Sequence, residues 1–405
     1  MTAAATSVDT SDAGPSIRAW LGVFSLAFGA AIIVTTEFLP VGFLPNVAAD
    51  LKVSIGVAGY MVLAPGLGAA VASPLVLVAA RHARRRWLIV ALGGLVVISN
   101  ALAAVAPNFT VVLIARVFLG IAIGGFWAVV PPLGLRLVGA RAGTRATSII
   151  LAGLSAGTVV GLPAGQLLGN LIGWRSTFAI AAAAAIFIVI AQWILLPGLP
   201  TDERTRFASL GRVFTVPIAR TVLIAGSLIT IGQFAASTFV TPFLLQLVHL
   251  GTDIATLSLL GYGAMGIVGT LLGTALVNRS KIGSLVGAAA AFGLVLIMLP
   301  ALSSAPIGVV ILFLVWGAIW GVVPLALQTL MFTATPDTPE ASAAILMSLL
   351  QLSIAIGSAL GGALIDSAGL VVLFVVAGAV AIGGALFALI ARRGIGATAP
   401  VAGAR

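Results

Sequence analysis

The sequence predicts an all-α membrane protein of twelve transmembrane helices, arranged as two pseudo-symmetric six-helix bundles. Three observations carry this prediction: the composition, the spacing of long apolar stretches and an internal repeat. Of the 405 residues, 61% are hydrophobic and 7% are charged, and the mean hydropathy is +1.24. A soluble domain carries about 25% charged residues. So few charges cannot cover a water-exposed surface, which points to the lipid bilayer as the surroundings of the chain.

Twelve stretches are long and apolar enough to cross a bilayer, which needs roughly 20 residues of helix. We predict spans at 18–42, 55–80, 87–106, 110–135, 146–170, 175–196, 220–248, 254–277, 283–303, 307–332, 342–366 and 370–391. The fifth and sixth are separated only by a short turn at Gly173.

The positive charges divide unequally between the two sides of these spans. Seventeen of the 20 Lys and Arg residues lie in or beside the tails and connections on one side. Lys52 and Arg175 lie on the other side, and Arg116 lies within a span. Positive residues concentrate on the cytoplasmic side of membrane proteins. We therefore expect a multi-pass protein of the cell membrane with both termini in the cytoplasm. The net charge of +10 then reflects the orientation in the membrane and does not indicate nucleic-acid binding.

The longest polar interruption lies near the middle of the chain and predicts a boundary between two halves. The predicted organisation is a cytoplasmic tail (1–17), a six-helix half (18–196), a cytoplasmic linker (197–219), a second six-helix half (220–391) and a second tail (392–405).

Two sequence repeats support this division. The segment 124–131, GGFWAVVP, recurs as GAIWGVVP at 317–324, an offset of 193 residues. Gly161 and Gly165 recur as Gly357 and Gly361, an offset of 196. An even number of helices in each unit predicts parallel repeats related by an axis along the membrane normal. In this alignment Arg116 corresponds to Val309, and we place Glu37 near Phe239.

Few residues could support enzyme chemistry. The chain has no Cys and two His, both in predicted loops. The chain therefore has almost no side chains that could form a metal cluster, a reactive thiol or a His-based catalytic site. We predict no catalytic residue, metal or cofactor.

Several motifs resemble the major facilitator superfamily over essentially the whole chain. The run RVFLGIAIG, beginning at Arg116, is similar to its fourth-helix RxxxGxxxG pattern, which includes Gly120 and Gly124. Gly157, Gly161, Pro163 and Gly165 resemble the Gly/Pro-rich fifth-helix motif of its antiporters. The segment TTEFLPVG at 35–42 resembles bacterial drug, sugar and purine ribonucleoside efflux members. The resemblance implies the fold of that superfamily and efflux of a small organic molecule in exchange for protons.

The loop between the second and third spans departs from the family pattern GxxxDRxGRR. Arg81 stands where the Asp belongs and Arg84 where the Gly belongs, whereas Arg85 and Arg86 are kept. The charge-relay role that the family gives to that Asp is therefore in doubt here.

Of the ten acidic residues, Glu37 is the one that we place within a span. An ionisable group in hydrocarbon is costly and is a candidate for function. Glu37 lies about 12 Å of helix from Pro45, and Arg116 lies about 13–14 Å from Pro107, so their depths are similar. In the family that the sequence resembles, the first and fourth helices of a half both line the central cavity. This resemblance implies that Glu37 and Arg116 lie close together, and we predict a proton-coupling pair. The alternatives are an interfacial Glu37 and an Arg116 that holds backbone carbonyls near a helix kink.

Other residues predict a solute cavity and close helix packing. Polar and aromatic side chains within spans could contact a flat or polar solute, or could equally serve packing and interhelical hydrogen bonds. These candidates are Thr36, Trp127, Gln233, Trp316, Trp320 and Gln328. Glycines at four-residue spacing form smooth helix faces that allow close approach. These are Gly157, Gly161 and Gly165, and in the second half Gly357 and Gly361.

The leading function is a monomeric, proton-coupled efflux transporter of a nucleoside, sugar or drug that works by alternating access. Three alternatives remain: an uncoupled facilitator or importer, a membrane-embedded enzyme, and a channel. The lone Glu within a span, the absence of Cys and the His residues confined to loops argue against an enzyme, which would need a nucleophile with its base. A channel would favour a ring of like charges or carbonyls, whereas two unlike halves in one chain fit alternating access better.

Overall fold

The computed structural model describes residues 16–79, 84–130, 133–198 and 211–397. Long helices dominate these residues. The spanning helices are α1 (Ile17–Asp50), α2 (Tyr60–Ala79), α3 (Arg85–Ala104), α4 (Phe109–Val129), α5 (Ala140–Leu171), α6 (Trp174–Leu195), α7 (Pro217–Ser237), α8 (Thr252–Arg279), α9 (Lys281–Ala301) and α10 (Pro306–Ala334). The last helix, Pro339–Ala397, breaks at Gly369, and we call its parts α11 (339–368) and α12 (370–397).

The predicted twelve-helix membrane fold is confirmed. Eleven described helices are long and apolar enough to cross a membrane, and the last of these contains two spans joined at Gly369. Short helices Ile55–Ala58 and Leu133–Val138 precede α2 and α5. Gly173 and Gly369 both adopt φ +84°, a conformation that glycine reaches without a Cβ penalty, so the chain turns within residues 172–173 before α6 and at residue 369 before α12.

Two predicted spans differ from the structure at the same place in each half. We expected the first helix to end near residue 42, but α1 continues to Asp50 through a non-helical Phe43 (φ −119°, ψ 23°). We expected an unbroken seventh helix to 248, but α7 ends at Ser237, and Phe239 adopts φ −110°, ψ 21°. A short helix, Val240–Pro242, and a π-helix, Phe243–Leu247, follow. Phe43 and Phe239 are 196 residues apart, so the break belongs to the repeat.

The same helix pairs pack in both halves. In the first half α1 packs on α5, α2 on α4 and α3 on α6, and in the second half α7 packs on α11, α8 on α10 and α9 on α12. Between the halves, α2 packs on α11 and α5 packs on α8. The tails 1–15 and 398–405, most of the linker (199–210) and residues 80–83 of the basic loop lie outside the described residues.

We call the end of the bundle that holds Asp50 and the turns at 51–54, 172–173 and 369 the Asp50 end. The opposite end, where α1 begins and α12 finishes, is the tail end. One apolar core fills the second half and extends into the first half through Val41, Leu44, Ala48, Ala58, Val62 and Leu162. These residues all lie toward the Asp50 end. A separate core fills the tail-end part of the first half.

Candidate functional site

The site begins with two prolines that open the backbone of neighbouring helices. Pro40 lies inside α1 and Pro65 inside α2. A proline has no N–H, so it cannot bond the carbonyl four residues earlier. The carbonyls left without a helical donor are those of Thr36 and Met61. In an apolar interior an unpaired carbonyl is costly.

Arg116 of α4 supplies the missing donors. Its Nη1 donates to the Thr36 carbonyl and its Nε to the Met61 carbonyl, each over 2.8 Å. Its Nη2 donates to the Glu37 carbonyl, also over 2.8 Å. The guanidinium is fully buried. One planar, permanently charged side chain therefore ties α4 to the proline positions of α1 and α2.

The relation between Glu37 and Arg116 thus differs from a simple ion pair. We expected two facing charges at similar depth, and the structure does bring the residues together. However, the hydrogen bond runs from Arg116 to the backbone of Glu37, not to its carboxylate. The alternative of an arginine that holds backbone carbonyls describes this geometry. The positive charge still lies close enough to stabilise a negative one on Glu37.

The Glu37 carboxylate points toward the second half of the molecule. Its side chain is 6% exposed. Its Oε1 lies 3.5 Å from Nε2 of Gln351 on α11, a long hydrogen bond that crosses between the halves. Close by, the backbones of α2 and α11 meet, since a Cβ on Gly66 would lie 2.8 Å from the Gln351 carbonyl. Glu37 therefore lies where the two halves meet.

Aromatic rings continue from Glu37 across the junction. Phe38 of α1 stacks on Phe234 of α7, with ring centroids 6.1 Å apart. Phe234 in turn meets Trp320 edge to face at 6.2 Å. Phe38 and Trp320 are each partly exposed. Trp127, which corresponds to Trp320 in the repeat, is also partly exposed and packs against Phe126.

Two of the predicted cavity residues instead form a buried network within the second half. Trp316 donates its indole N–H to Oε1 of Gln233 over 2.7 Å, and Gln233 donates to the hydroxyl of Tyr262 over 2.8 Å. Trp316 is fully buried among Phe313, Tyr262 and Phe374. The expectation that Trp316 lines a cavity is therefore wrong for this conformation, because all of its surface is taken up by packing.

Two predicted residues remain apart from this network. Gln328 is exposed on α10. Thr36 is buried, and its hydroxyl lies 3.4 Å from Nδ2 of Asn100 on α3.

The structure corrects the alignment of Glu37 in the repeat. Because Phe43 matches Phe239, Glu37 matches Gln233 and not a position near Phe239. Both side chains are buried on the first helix of their half. Arg116 remains aligned with Val309, a buried apolar residue. The first half thus holds an ionisable group where the second half holds a neutral amide in a closed network.

The glycines of α5 and α11 pack against α1 and α7 in equivalent pairs. A Cβ on Gly165 would lie 2.2 Å from the Leu39 carbonyl, and one on Gly361 would lie 2.6 Å from the Ala235 carbonyl. Each partner is also 196 residues from its counterpart. The other predicted small positions follow the same rule: Gly157 and Gly161 lie against α1, Gly357 lies against α7, Gly120 and Gly124 lie against α2, and Pro163 lies inside α5.

Sequence reasoning missed the Met61 carbonyl and Tyr262 as parts of this site. It considered Gln351 as an intramembrane amide that could hydrogen-bond a solute, not as the partner of Glu37. Pro40 and Pro65 were a usable signal, since each proline marks a carbonyl that needs another donor. Nothing in the local sequence around Gln351 or Tyr262 shows which buried group each one meets, because those partners come from distant helices.

Comparison with known proteins decides the family. The family model for the Major Facilitator Superfamily matches residues 26–351. The chain belongs to the major facilitator superfamily. It is therefore a multi-pass membrane transporter, as the sequence resemblance predicted.

Curated relatives within the superfamily match most of the chain. The chain is 34% identical over 353 residues to the purine ribonucleoside efflux pump NepI of Escherichia coli O6:K15:H31, covering 87% of this chain and 89% of that protein. It is also 34% identical over 369 residues to a Pseudomonas aeruginosa protein named transcription regulatory protein OpdE, covering 89% and 91%.

Solved structures share the fold at low sequence identity. A bacterial homologue of the human lysosomal transporter Spinster, in an inward-facing and unoccupied conformation, matches with a TM-score of 0.73 at 15% identity, covering 93% of this chain and 96% of that chain. A D-xylose–proton symporter matches with a TM-score of 0.70 at 16% identity, covering 92% and 96%.

Proposed function

We propose that this transporter exports small organic molecules, with purine ribonucleosides as the first candidates, in exchange for protons. The observation that carries the proposal is the position of Glu37. It is a carboxylate buried on the first helix of the first half, and its side chain reaches toward α11 of the other half. A group that can gain or lose a charge at this junction can make the relative stability of two arrangements of the halves depend on protons.

The surroundings of Glu37 support a proton site. Burial of a carboxylate in the membrane favours its neutral form, whereas the nearby Arg116 charge favours the ionised form. The two effects oppose each other, so a modest change in surroundings can switch the charge. Arg116 hydrogen-bonds three backbone carbonyls and not the Glu37 carboxylate, so these bonds do not require Glu37 to be charged.

The aromatic rings beside Glu37 support the proposal that the substrate is flat. Phe38, Phe234 and Trp320 form a line of ring faces and edges across the junction. Trp127 offers a further partly exposed ring from the first half. A purine base stacks on aromatic rings, and the Gln351 amide could hydrogen-bond its polar edge. The name of the Escherichia coli relative agrees with this class of substrate.

The charge distribution supports one orientation of the transporter in the membrane. The tail end carries the large excess of Lys and Arg and is the cytoplasmic side in this proposal, so the Asp50 end faces outward. The protein would work as a monomer in the cell membrane, since one chain supplies both halves. Proton entry from outside would neutralise Glu37 and favour the arrangement that releases substrate outward.

Transport by the purified chain in proteoliposomes tests the proposal. An imposed pH gradient should drive labelled inosine or guanosine against its concentration gradient, and an added protonophore should abolish this accumulation. An uncoupled facilitator would equilibrate the nucleoside without accumulation and without sensitivity to the protonophore. Accumulation of a sugar, with no competition by purine ribonucleosides, would overturn the substrate assignment while leaving proton coupling intact.

A further inference from the structure

Two polar residues of α11, Ser358 and Asp366, bind the first half near the start of α2. Ser358 donates from its hydroxyl to the Gly59 carbonyl over 2.7 Å. Two turns further on, the Asp366 carboxylate accepts two hydrogen bonds. Its Oδ1 accepts from the Gly56 backbone N–H over 3.0 Å, and its Oδ2 accepts from the Ser54 hydroxyl. All of these bonds join the second half to the first at the Asp50 end.

Asp366 completes a helix cap that the first half begins. Ser54 is the N-cap of the helix Ile55–Ala58, and its hydroxyl oxygen accepts from the Val57 N–H over 3.0 Å. The first N–H groups of a helix lack partners within the helix, and a carboxylate is stabilised there. Asp366 occupies that position from the other half, so its part of the cap exists only while the halves are together.

Beside Asp366, which is exposed, the backbones of the two halves approach closely. A Cβ on Gly56 would lie 2.4 Å from Oδ2 of Asp366 and 2.2 Å from the Gly362 carbonyl. A Cβ on Gly362 would lie 2.6 Å from the Gly56 carbonyl. The absence of side chains at both positions lets the two backbones come close enough for the carboxylate to reach the Gly56 N–H.

We propose that Asp366 is a positioning residue that holds the Asp50 end of the transporter closed by capping the α2 entry helix across the junction. Alternating access requires the two halves to part at this end, and these bonds must break when they do. A stronger Asp366 contact should therefore make opening of the Asp50 end less frequent. This inference rests on alternating access as stated in the proposed function, but it does not depend on the substrate or on Glu37.

Thiol labelling can test the contact directly, because the chain contains no Cys of its own. Val62 of α2 is 1% exposed and belongs to the apolar core that joins the halves toward the Asp50 end. In a Val62→Cys background, a membrane-impermeant maleimide added at the Asp50 side should react only when that end opens. Asp366→Ala should raise the labelling rate by about threefold to tenfold, since a charge-assisted contact is lost.

Three further variants distinguish loss of the cap from a general effect of charge at the Asp50 end. Asp366→Asn retains an oxygen that can accept from Gly56 and should give a smaller increase than Asp366→Ala. Ser54→Ala removes the partner on the other half and should raise the rate without altering α11. Asp253→Ala removes an exposed carboxylate from the first turn of α8 at the same end, and should leave the rate unchanged.

Equal labelling rates for Asp366→Ala and its parent would overturn the inference. So would an equal increase for Asp253→Ala, because the effect would then reflect charge at that end and not the cap. The assay uses no substrate and no proton gradient. Failure of proton-coupled transport would therefore leave this measurement unaffected, and the two proposals can fail separately.

Discussion

Arg116 donates to the carbonyl that Pro40 leaves without a helical partner. Its Nη1 reaches the Thr36 carbonyl over 2.8 Å, and its Nε makes the equivalent bond to Met61, four residues before Pro65. The proline of each helix and the arginine of α4 are therefore parts of one arrangement. This arrangement fixes the position of the Glu37 backbone, which accepts the third bond.

The pairing of Arg116 with Pro40 can be measured with a double-mutant cycle. Arg116→Lys keeps the charge but replaces the planar guanidinium with an ammonium that cannot reach all three carbonyls. We expect the free energy of unfolding in detergent to fall by about 2–4 kcal/mol if two hydrogen bonds are lost. Pro40→Ala restores an N–H for the Thr36 carbonyl. In the Pro40→Ala background, Arg116→Lys should therefore cost less.

Additive effects of the two substitutions would show that the proline and the arginine act independently. Pro300→Ala offers a matched control, because Pro300 lies inside α9, away from Arg116. Its combination with Arg116→Lys should be additive.

The glycine face of α5 predicts a steric effect at Gly165. Gly165→Ala places a Cβ 2.2 Å from the Leu39 carbonyl of α1, so the helices must separate. We expect a loss of about 1–3 kcal/mol in stability and reduced transport. Gly94→Ala is the matched control, since a Cβ there meets no atom within 4 Å. Thermal unfolding of both variants checks this, and equal melting temperatures would contradict close α1–α5 packing.

The two tryptophans of α10 should differ in accessibility. Trp320 is partly exposed beside Phe234, whereas Trp316 is fully buried in the Gln233 network. A hydrophilic thiol reagent should label Trp320→Cys readily and Trp316→Cys slowly. A bound purine ribonucleoside should protect Trp320→Cys. Fast labelling at both positions would show that the network opens, and protection at neither would remove Trp320 from the solute path.

Much of the fold could be predicted from the sequence because a bilayer imposes length and hydropathy on each span. The helix break at Phe43 could not, since Pro40 and Pro45 show that α1 is perturbed but not whether it ends. The match of Phe43 with Phe239 is visible only in the structure, because the two segments share little beyond composition. The displaced match of Glu37 followed from that missing alignment.

The site was predicted less completely than the fold. The buried positions of Glu37 and Arg116 follow from their place within apolar stretches. Their proximity was predicted from similar depth together with the helix arrangement that the family resemblance implies. The direction of the Arg116 hydrogen bonds and the contact with Gln351 depend on side-chain geometry between distant helices. Trp316 and Trp320 differ by little more than one helical turn, so composition alone could not show that one is buried and the other is not.

Glu37→Gln is the most direct test of whether Glu37 couples protons to transport. The amide imitates the neutral carboxyl in size and hydrogen bonding but cannot exchange a proton. In proteoliposomes with an imposed pH gradient, the variant should exchange labelled purine ribonucleoside across the membrane at a rate close to that of the parent, yet fail to accumulate it against its gradient. Gln351→Glu in the Glu37→Gln background returns a carboxylate to the opposite side of the same contact, and partial recovery of pH-driven accumulation would place the proton at this junction. Undiminished pH-driven accumulation by Glu37→Gln, with the proton stoichiometry of the parent, would show that Glu37 does not couple protons to transport.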